Sequence, residues 1–283
     1  MTNGTPTGPP ALFDRALRRA RLARAAASGA AVDFLLARAA DDLADRLALV
    51  SRRFARALDL GTPGPHVADA LRAGGRVEAI ERIASFDAPP ADAGADLVVS
   101  ALALQDADDL PGALALARRA LKPDGLMLAC LVGGESLKEL RHALAAAEAE
   151  LRGGASPRVH PFADLRDLGA LMQRAGFALP VVDLERIVVR YPDLAALMRD
   201  LRGMGATNSL LARSRKPVGR AFFARAQTVY AEAFADADGR LPATLDLIWL
   251  SGWAPDPSQP KPLKPGAATM RLEDALKPPG EPA

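Results

Sequence analysis

Between Phe54 and Gly134 the sequence alternates between strand-length apolar runs and helical segments, and this rhythm leaves few folds open. The runs are Ala55–Leu60, Arg76–Glu81 (RVEAIE), Asp96–Leu104 (DLVVSALAL) and Leu126–Val132 (LMLACLV). Runs of nearly continuous apolar character suit parallel strands buried on both faces. Val67–Ala73 reads as a helix after the first run. Amphipathic Leu110–Leu121 reads as another before the last, ended by Lys122-Pro123-Asp124-Gly125, where proline cannot continue a helix. Strand and helix in alternation predict an α/β fold, a mostly parallel sheet with right-handed crossovers and helices on both faces.

The flanks divide by composition. Residues 1–10 form a Gly/Pro/Thr-rich leader expected to lack regular structure. Residues 11–53 predict two helices, with Val32, Leu35, Leu36, Leu43, Leu47 and Val50 at three- and four-residue spacing. Residues 54–134 are the core. Residues 135–253 are expected to complete the same domain with helices over Glu135–Leu151, Pro161–Ala175 and Leu194–Leu201, and strands over Val181–Tyr191 and Leu245–Trp249. The tail, 254–283, is too proline-rich for regular structure.

Composition narrows the function classes. Of 283 residues 49% are hydrophobic, ample for a core. Thirty-six basic against 34 acidic residues give a net charge of +2, too even to imply a nucleic-acid partner. The ten arginines within residues 1–56 read as a solvated helix face. The single cysteine, Cys130, lies inside an apolar run, which excludes an intramolecular disulfide and predicts a buried thiol. His66, His142 and His160 have no metal-ligand spacing, so no metal site is expected. No apolar stretch approaches the ~18 residues of a membrane span. Asp14, Asp33, Asp41 and Asp42 are too many acids for a transit peptide, so a cytoplasmic location is expected. Ser100 follows DLVV and sits in no Gly-x-Ser-x-Gly elbow, which leaves hydrolase chemistry without support.

In an open parallel sheet a ligand binds beyond the carboxyl ends of the strands, where strand order reverses. Asp59-Leu60-Gly61 ends the first run. Gly61 lets the backbone approach a ligand, the following helix offers unpaired N–H groups, and an acid ending the next strand, Glu81, accepts ribose hydroxyls. The structural alternatives are as simple: Asp59 caps the helix starting near Pro65, and Glu81 is an exposed acid.

Asp59-Leu60-Gly61, Asp96–Ala101 (DLVVSA) and Leu121–Gly125 (LKPDG) resemble the motifs of class I S-adenosylmethionine methyltransferases. Asp109–Ala113 (DLPGA), Gly133–Arg141 (GGESLKELR), Gly153–Phe162 (GGASPRVHPF), Arg174–Phe177 (RAGF), Arg202–Asn208 (RGMGATN) and Gly239–Thr244 (GRLPAT) are similar to the branch of the complex I assembly factor with protein-arginine hydroxylase activity. The resemblance implies an abridged Rossmann-like methyltransferase fold with N-terminal helices and a helical C-terminal addition. It implies S-adenosylmethionine as cofactor, with Asp59, Leu60, Gly61, Thr62, Gly64, Glu81, Asp87 and Ser100 as candidate contacts, Asp87 facing the adenine amine. Arg158, Tyr191, Met204 and Asn208 are candidates for the substrate or partner side. Arg202–Gly205 reads either as a substrate-facing loop or as a break after a helix, with Asn208 capping the next. The implied partner is a protein, a subunit of respiratory complex I.

The departures from that pattern are specific. Pro63 and Pro65 stand where the family's first loop has glycines, and proline fixes φ and removes a donor. Only 14 residues separate Glu81 from Asp96, where the fold has a further helix and strand. Asp106 replaces a tryptophan of this branch. No His-x-Asp/Glu pair with a distant His suggests an iron site for oxidative chemistry. Two functions are therefore expected as alternatives: cofactor-dependent modification of a protein arginine, or a non-catalytic assembly factor with an eroded cofactor site.

Overall fold

A computed structural model describes residues 10–28, 32–87 and 94–260. Residues 1–9 of the expected leader and residues 261–283 of the proline-rich tail lie outside the described residues. Six strands form one sheet in the order β2-β1-β3-β4-β6-β5. They are β1 Phe54–Leu60, β2 Val77–Ile83, β3 Ala95–Ala101, β4 Leu121–Gly133, β5 Ala178–Tyr191 and β6 Leu241–Trp253. The first four pair in parallel, whereas β6 runs antiparallel between β4 and β5.

Eight helices are described: α1 Arg15–Ala27, α2 Phe34–Ala48, α3 His66–Ala73, α4 Leu110–Ala120, α5 Lys138–Arg152, α6 Leu165–Arg174, α7 Leu194–Gly203 and α8 Arg220–Phe234. The period-2 alternation of the strands sorts side chains into two cores. Leu97, Val99, Leu128, Cys130, Leu247 and Trp249 pack under α2, α3, α5, α7 and α8. Val98, Met127, Ala129, Ile248 and Leu250 pack under α4 and α6. Burial on both faces explains why these strands read as continuous apolar runs, and Cys130 is buried as expected.

Several expectations need correction. β2 runs two residues past Glu81, so Glu81 does not end the strand; it pairs in register with Leu58, and Asp59 pairs with Arg82. β3 stops at Ala101, because Leu102 takes a positive φ of 52° and Leu104–Asp106 forms a single 3-10 turn. β4 begins at Leu121, with Pro123 and Asp124 inside the strand. Asn208 caps no helix: the next, α8, starts at Arg220 with Gly219 at its N-cap. Asp59 does not cap α3, whose N-cap is Pro65 without a side-chain bond. Among the described residues no strand stands between β2 and β3, so β2 is the sheet edge. Nor is any helix among them long and apolar enough to cross a membrane.

Candidate functional site

Strand order reverses between β1 and β3, so the carboxyl ends of these two strands define the crevice. Two hydroxyls staple them together. Ser100 Oγ donates to the Leu60 carbonyl at 2.7 Å, and Thr62 Oγ1 accepts from the Ala101 N–H at 2.9 Å. Gly61 turns the chain with φ +73°, and its N–H donates to the Ile83 carbonyl at 2.8 Å. A Cβ there would stand 3.1 Å from Phe86 Cδ1 and 3.3 Å from Ala103 Cβ, so the glycine is required by the turn itself.

Asp59 is 1% exposed, and neither carboxylate oxygen accepts a hydrogen bond. Burial pushes its carboxyl above the usual range, partly offset by Thr62 and Arg82. The nearest cation is Arg82, with Nε 3.5 Å from Asp59 Oδ2. The same guanidinium donates to the carbonyls of Thr62, at 3.3 Å, and Gly64. Arg82 thus latches the first loop from the neighbouring strand, a contact across 20 residues that no local spacing signals.

The other two acids of the cofactor-side set are engaged elsewhere. Glu81 is half exposed on the edge strand and accepts from Arg56 Nη2 at 3.0 Å. Asp87 accepts from Arg15 Nη1 of α1 at 2.6 Å and from Ser85 Oγ at 3.2 Å. The structure therefore brings Asp59, Leu60, Gly61, Thr62, Gly64 and Ser100 together and leaves Glu81 apart.

The substrate-side set converges. Arg158, Tyr191, Met204 and Asn208 all line one cavity of about 200 Å³ at the carboxyl ends of β3 and β4. Its walls are apolar, built by Leu35, Val132, Leu140, Leu197 and Phe222 among others. The Arg158 guanidinium lies over the Phe222 ring and donates to Glu148 at 2.9 and 2.6 Å. Burial first, then the Asp200 carboxylate, raises the Tyr191 phenol. Asn208 bridges the Pro157 carbonyl and the Leu210 N–H, closing a turn.

Sequence reasoning missed the polar end of this cavity, formed by Arg18, Gln105, Asp106 and His160. Asp106 accepts from Arg18 Nε at 2.6 Å and stands 3.3 Å from His160 Nδ1. Burial alone would raise its carboxyl, but His160 and Arg18 outweigh burial and hold it below the usual range. His160 Nε2 lies 3.2 Å from Ser209 Oγ. The signal for this cluster was present: an acid where the branch has tryptophan, in a segment entering the cleft.

A model of the methyltransferase domain matches residues 33–180, more than half of the chain. The chain belongs to the methyltransferase-domain family. Within that family it is 34% identical over 293 residues to the arginine hydroxylase NDUFAF5, mitochondrial, of Danio rerio, covering 94% of this chain and 90% of that one. It is 32% identical over 298 residues to the malonyl-[acyl-carrier protein] O-methyltransferase of Methylovorus sp. (strain MP688), covering 94% of each. A solved structure from Bacillus halodurans C-125, described as a methyltransferase, matches with TM-score 0.51 at 16% identity, over 76% of this chain and 99% of that one; this likeness shows the fold alone. The Rossmann-like fold and the NDUFAF5 branch read from the motifs are thus borne out. The cytoplasmic location is not: the NDUFAF5 relatives are named as mitochondrial proteins, which overturns an expectation built only on N-terminal composition.

Proposed function

We propose that this methyltransferase-family protein binds S-adenosylmethionine weakly and uses it to modify an arginine of a protein partner, a respiratory complex I subunit, during assembly. The observation that carries the reading is the cavity at the carboxyl ends of β3 and β4, whose polar end presents a largely buried carboxylate, Asp106, already holding a guanidinium. The NDUFAF5 relatives, named as arginine hydroxylases, support the choice of acceptor.

Bound S-adenosylmethionine supplies a methyl group on an activated sulfonium, so catalysis needs positioning and exclusion of water more than an acid–base pair. Asp59, buried and without a hydrogen bond, fits an ammonium group at the end of β1. Gly61, Thr62 and Gly64 shape the loop beside it. Asp106 orients the acceptor guanidinium, and the apolar walls keep water from it. Bound beside Asp59, the cofactor would supply the methyl group, and the guanidinium nitrogen receiving it would release one proton to the medium.

A carboxyl acceptor such as malonyl is less well served. Both guanidiniums lining the cavity are matched by carboxylates, Arg18 by Asp106 and Arg158 by Glu148. The non-catalytic alternative rests on Arg82, which occupies the loop carbonyls, and on Arg15, which ties up Asp87.

The test is transfer of isotopically labelled methyl from S-adenosylmethionine, with peptides of complex I subunits and a malonyl thioester as competing acceptors. Label on a peptide arginine supports the proposal. Label on the malonyl carboxyl transfers the function to that substrate class, and no label on either at millimolar cofactor favours the scaffold.

A further inference from the structure

The arginine that fills the Asp106 site belongs to the chain itself. Arg18 projects from α1 into the cavity, donating from Nε to Asp106 Oδ2 at 2.6 Å and from Nη1 to the Gly205 carbonyl at 2.8 Å. Its side chain is 13% exposed and that of Asp106 is 12% exposed, so the pair is largely dry. Charge-assisted donation from a planar guanidinium to a carboxylate plus a backbone carbonyl is how proteins select arginine over lysine. One acceptor in the cavity stays open: Gln105 Oε1 is buried without a hydrogen-bond partner, while its Nε2 donates to the Leu102 carbonyl at 2.6 Å.

The helix that delivers Arg18 is held by charge more than by apolar burial. Ala25 is the one residue of α1 that is buried. Arg21 donates to the carbonyls of Thr207 and Asn208, and Arg15 pairs with Asp87 and Asp108. Gly205, with φ +67°, lets the loop approach so closely that a Cβ there would lie 3.1 Å from Leu22 Cα. Arg21 sits among Arg18, Arg24 and Arg213, a crowding of like charge that, after burial, lowers its guanidinium pKa. The Arg15 pairs, open to solvent on the arginine side, add little each, whereas the dry Arg18–Asp106 pair gives way only to a guanidinium that replaces it at the same carboxylate.

We propose that Asp106, the Gly205 carbonyl and Gln105 Oε1 form a guanidinium-binding site in which Arg18 is an internal stand-in, displaced when a partner protein inserts its own arginine. The inference rests on the reading of arginine as acceptor and adds how the site is kept filled before the partner arrives. It also accounts for an acid in place of an aromatic at position 106: the acid needs a cation, and α1 supplies one.

The test uses the full chain, with ethylguanidinium as probe and ethylammonium as an equal-charge control, read by calorimetry and thermal melting. Arg18→Ala should bind ethylguanidinium at least about tenfold more tightly than wild type, because the internal occupant no longer competes. Its melting temperature, lowered by the unpaired Asp106, should recover with the probe and not with the control. Arg18→Ala combined with Asp106→Asn should lose both responses. If Arg18→Ala does not fold alone, Arg18→Lys, which keeps a cation beside Asp106 without the planar fork, carries the same comparison with a smaller gain. Equal affinity in wild type and variant, an equal response to ethylammonium, or binding that survives Asp106→Asn overturns the proposal. Label on a peptide arginine, found together with no effect of Arg18→Ala, would keep arginine as acceptor while removing α1 as its occupant.

Discussion

Arg82 faces Asp59 across 3.5 Å at the carboxyl end of β1 and donates from Nη2 to two carbonyls of the loop that follows. An internal cation therefore stands at the carboxylate best placed to receive a ligand's ammonium group. Removing the Arg82 charge with Arg82→Gln should strengthen S-adenosylmethionine binding, by roughly tenfold if one charge-assisted contact worth ~1.4 kcal/mol is freed. A titration of wild type against variant checks this, and weaker binding in Arg82→Gln would mean that the latch helps to hold the cofactor.

Asp59 also sets a pH dependence. Its carboxyl is raised in the folded protein, burial first, so the folded state holds the proton more tightly than the unfolded chain. The protein is then favoured below the unfolded value of about 3.9, and that advantage is lost as pH rises through the higher folded value. Asp59→Asn removes the charged form, so the variant should be more stable than wild type at pH 7, with the difference closing near pH 3.5. Urea unfolding at the two pH values reads it. A less stable variant at pH 7 would show that attraction to Arg82 outweighs the cost of burial.

Glu148 has the opposite sign. Hydrogen bonds from Arg158, against the opposing effect of burial and with help from Ser156, lower its carboxyl to about 2. Its contribution is complete above the ordinary carboxyl range and lost as pH falls toward 2. Glu148→Gln should cost about 3 kcal/mol at pH 7. Arg158→Met should cost at least as much, since it takes the bidentate cation from a buried carboxylate and leaves it Ser156 and the more distant Arg152. Neither loss should survive at pH 2. A neutral Arg158→Met at pH 7 would free Arg158 for a substrate.

Gly61 carries a conformational demand that sequence reasoning assigned to a ligand. At φ +73° any side chain is disfavoured, by roughly 1–2 kcal/mol, and a Cβ also meets Phe86 and Ala103. Gly61→Ala should therefore lower thermal stability with or without cofactor, and Gly61→Val more so. An unchanged melting temperature in Gly61→Ala would show that the turn relaxes.

The sheet was legible in the sequence because burial on both faces leaves a contiguous apolar record, as at Ala95–Ala101 and Leu126–Leu131. Helix α8 was not: adjacent Phe222 and Phe223, followed by Thr228 and Val229, blur its periodicity, and its N-cap, Gly219, has no side chain to bond the first turn. The cavity-lining set Arg158, Tyr191, Met204 and Asn208 was legible only through motif likeness, since these residues come from distant segments. The contacts that define the site's electrostatics, Arg82 with Asp59 and Arg18 with Asp106, join residues 23 and 88 positions apart. Local pattern carries no information about pairs so distant, and only the fold reveals them.

A calorimetric titration of the wild-type protein with S-adenosylmethionine tests most directly whether it keeps a weakened methyltransferase-type cofactor site. Pro63 and Pro65 remove two N–H donors from the first loop, and Asp87 is held by Arg15. If each loss forfeits roughly 1.4 kcal/mol, two or three weaken binding ~100- to 1000-fold from the ~1 μM of an intact site. The expected dissociation constant is thus ~100 μM to 1 mM. A value near ~1 μM would show that the prolines and the internal cations cost the site nothing. The absence of saturable binding at several times ~1 mM would leave the protein no cofactor to use, and either result contradicts a weakened site.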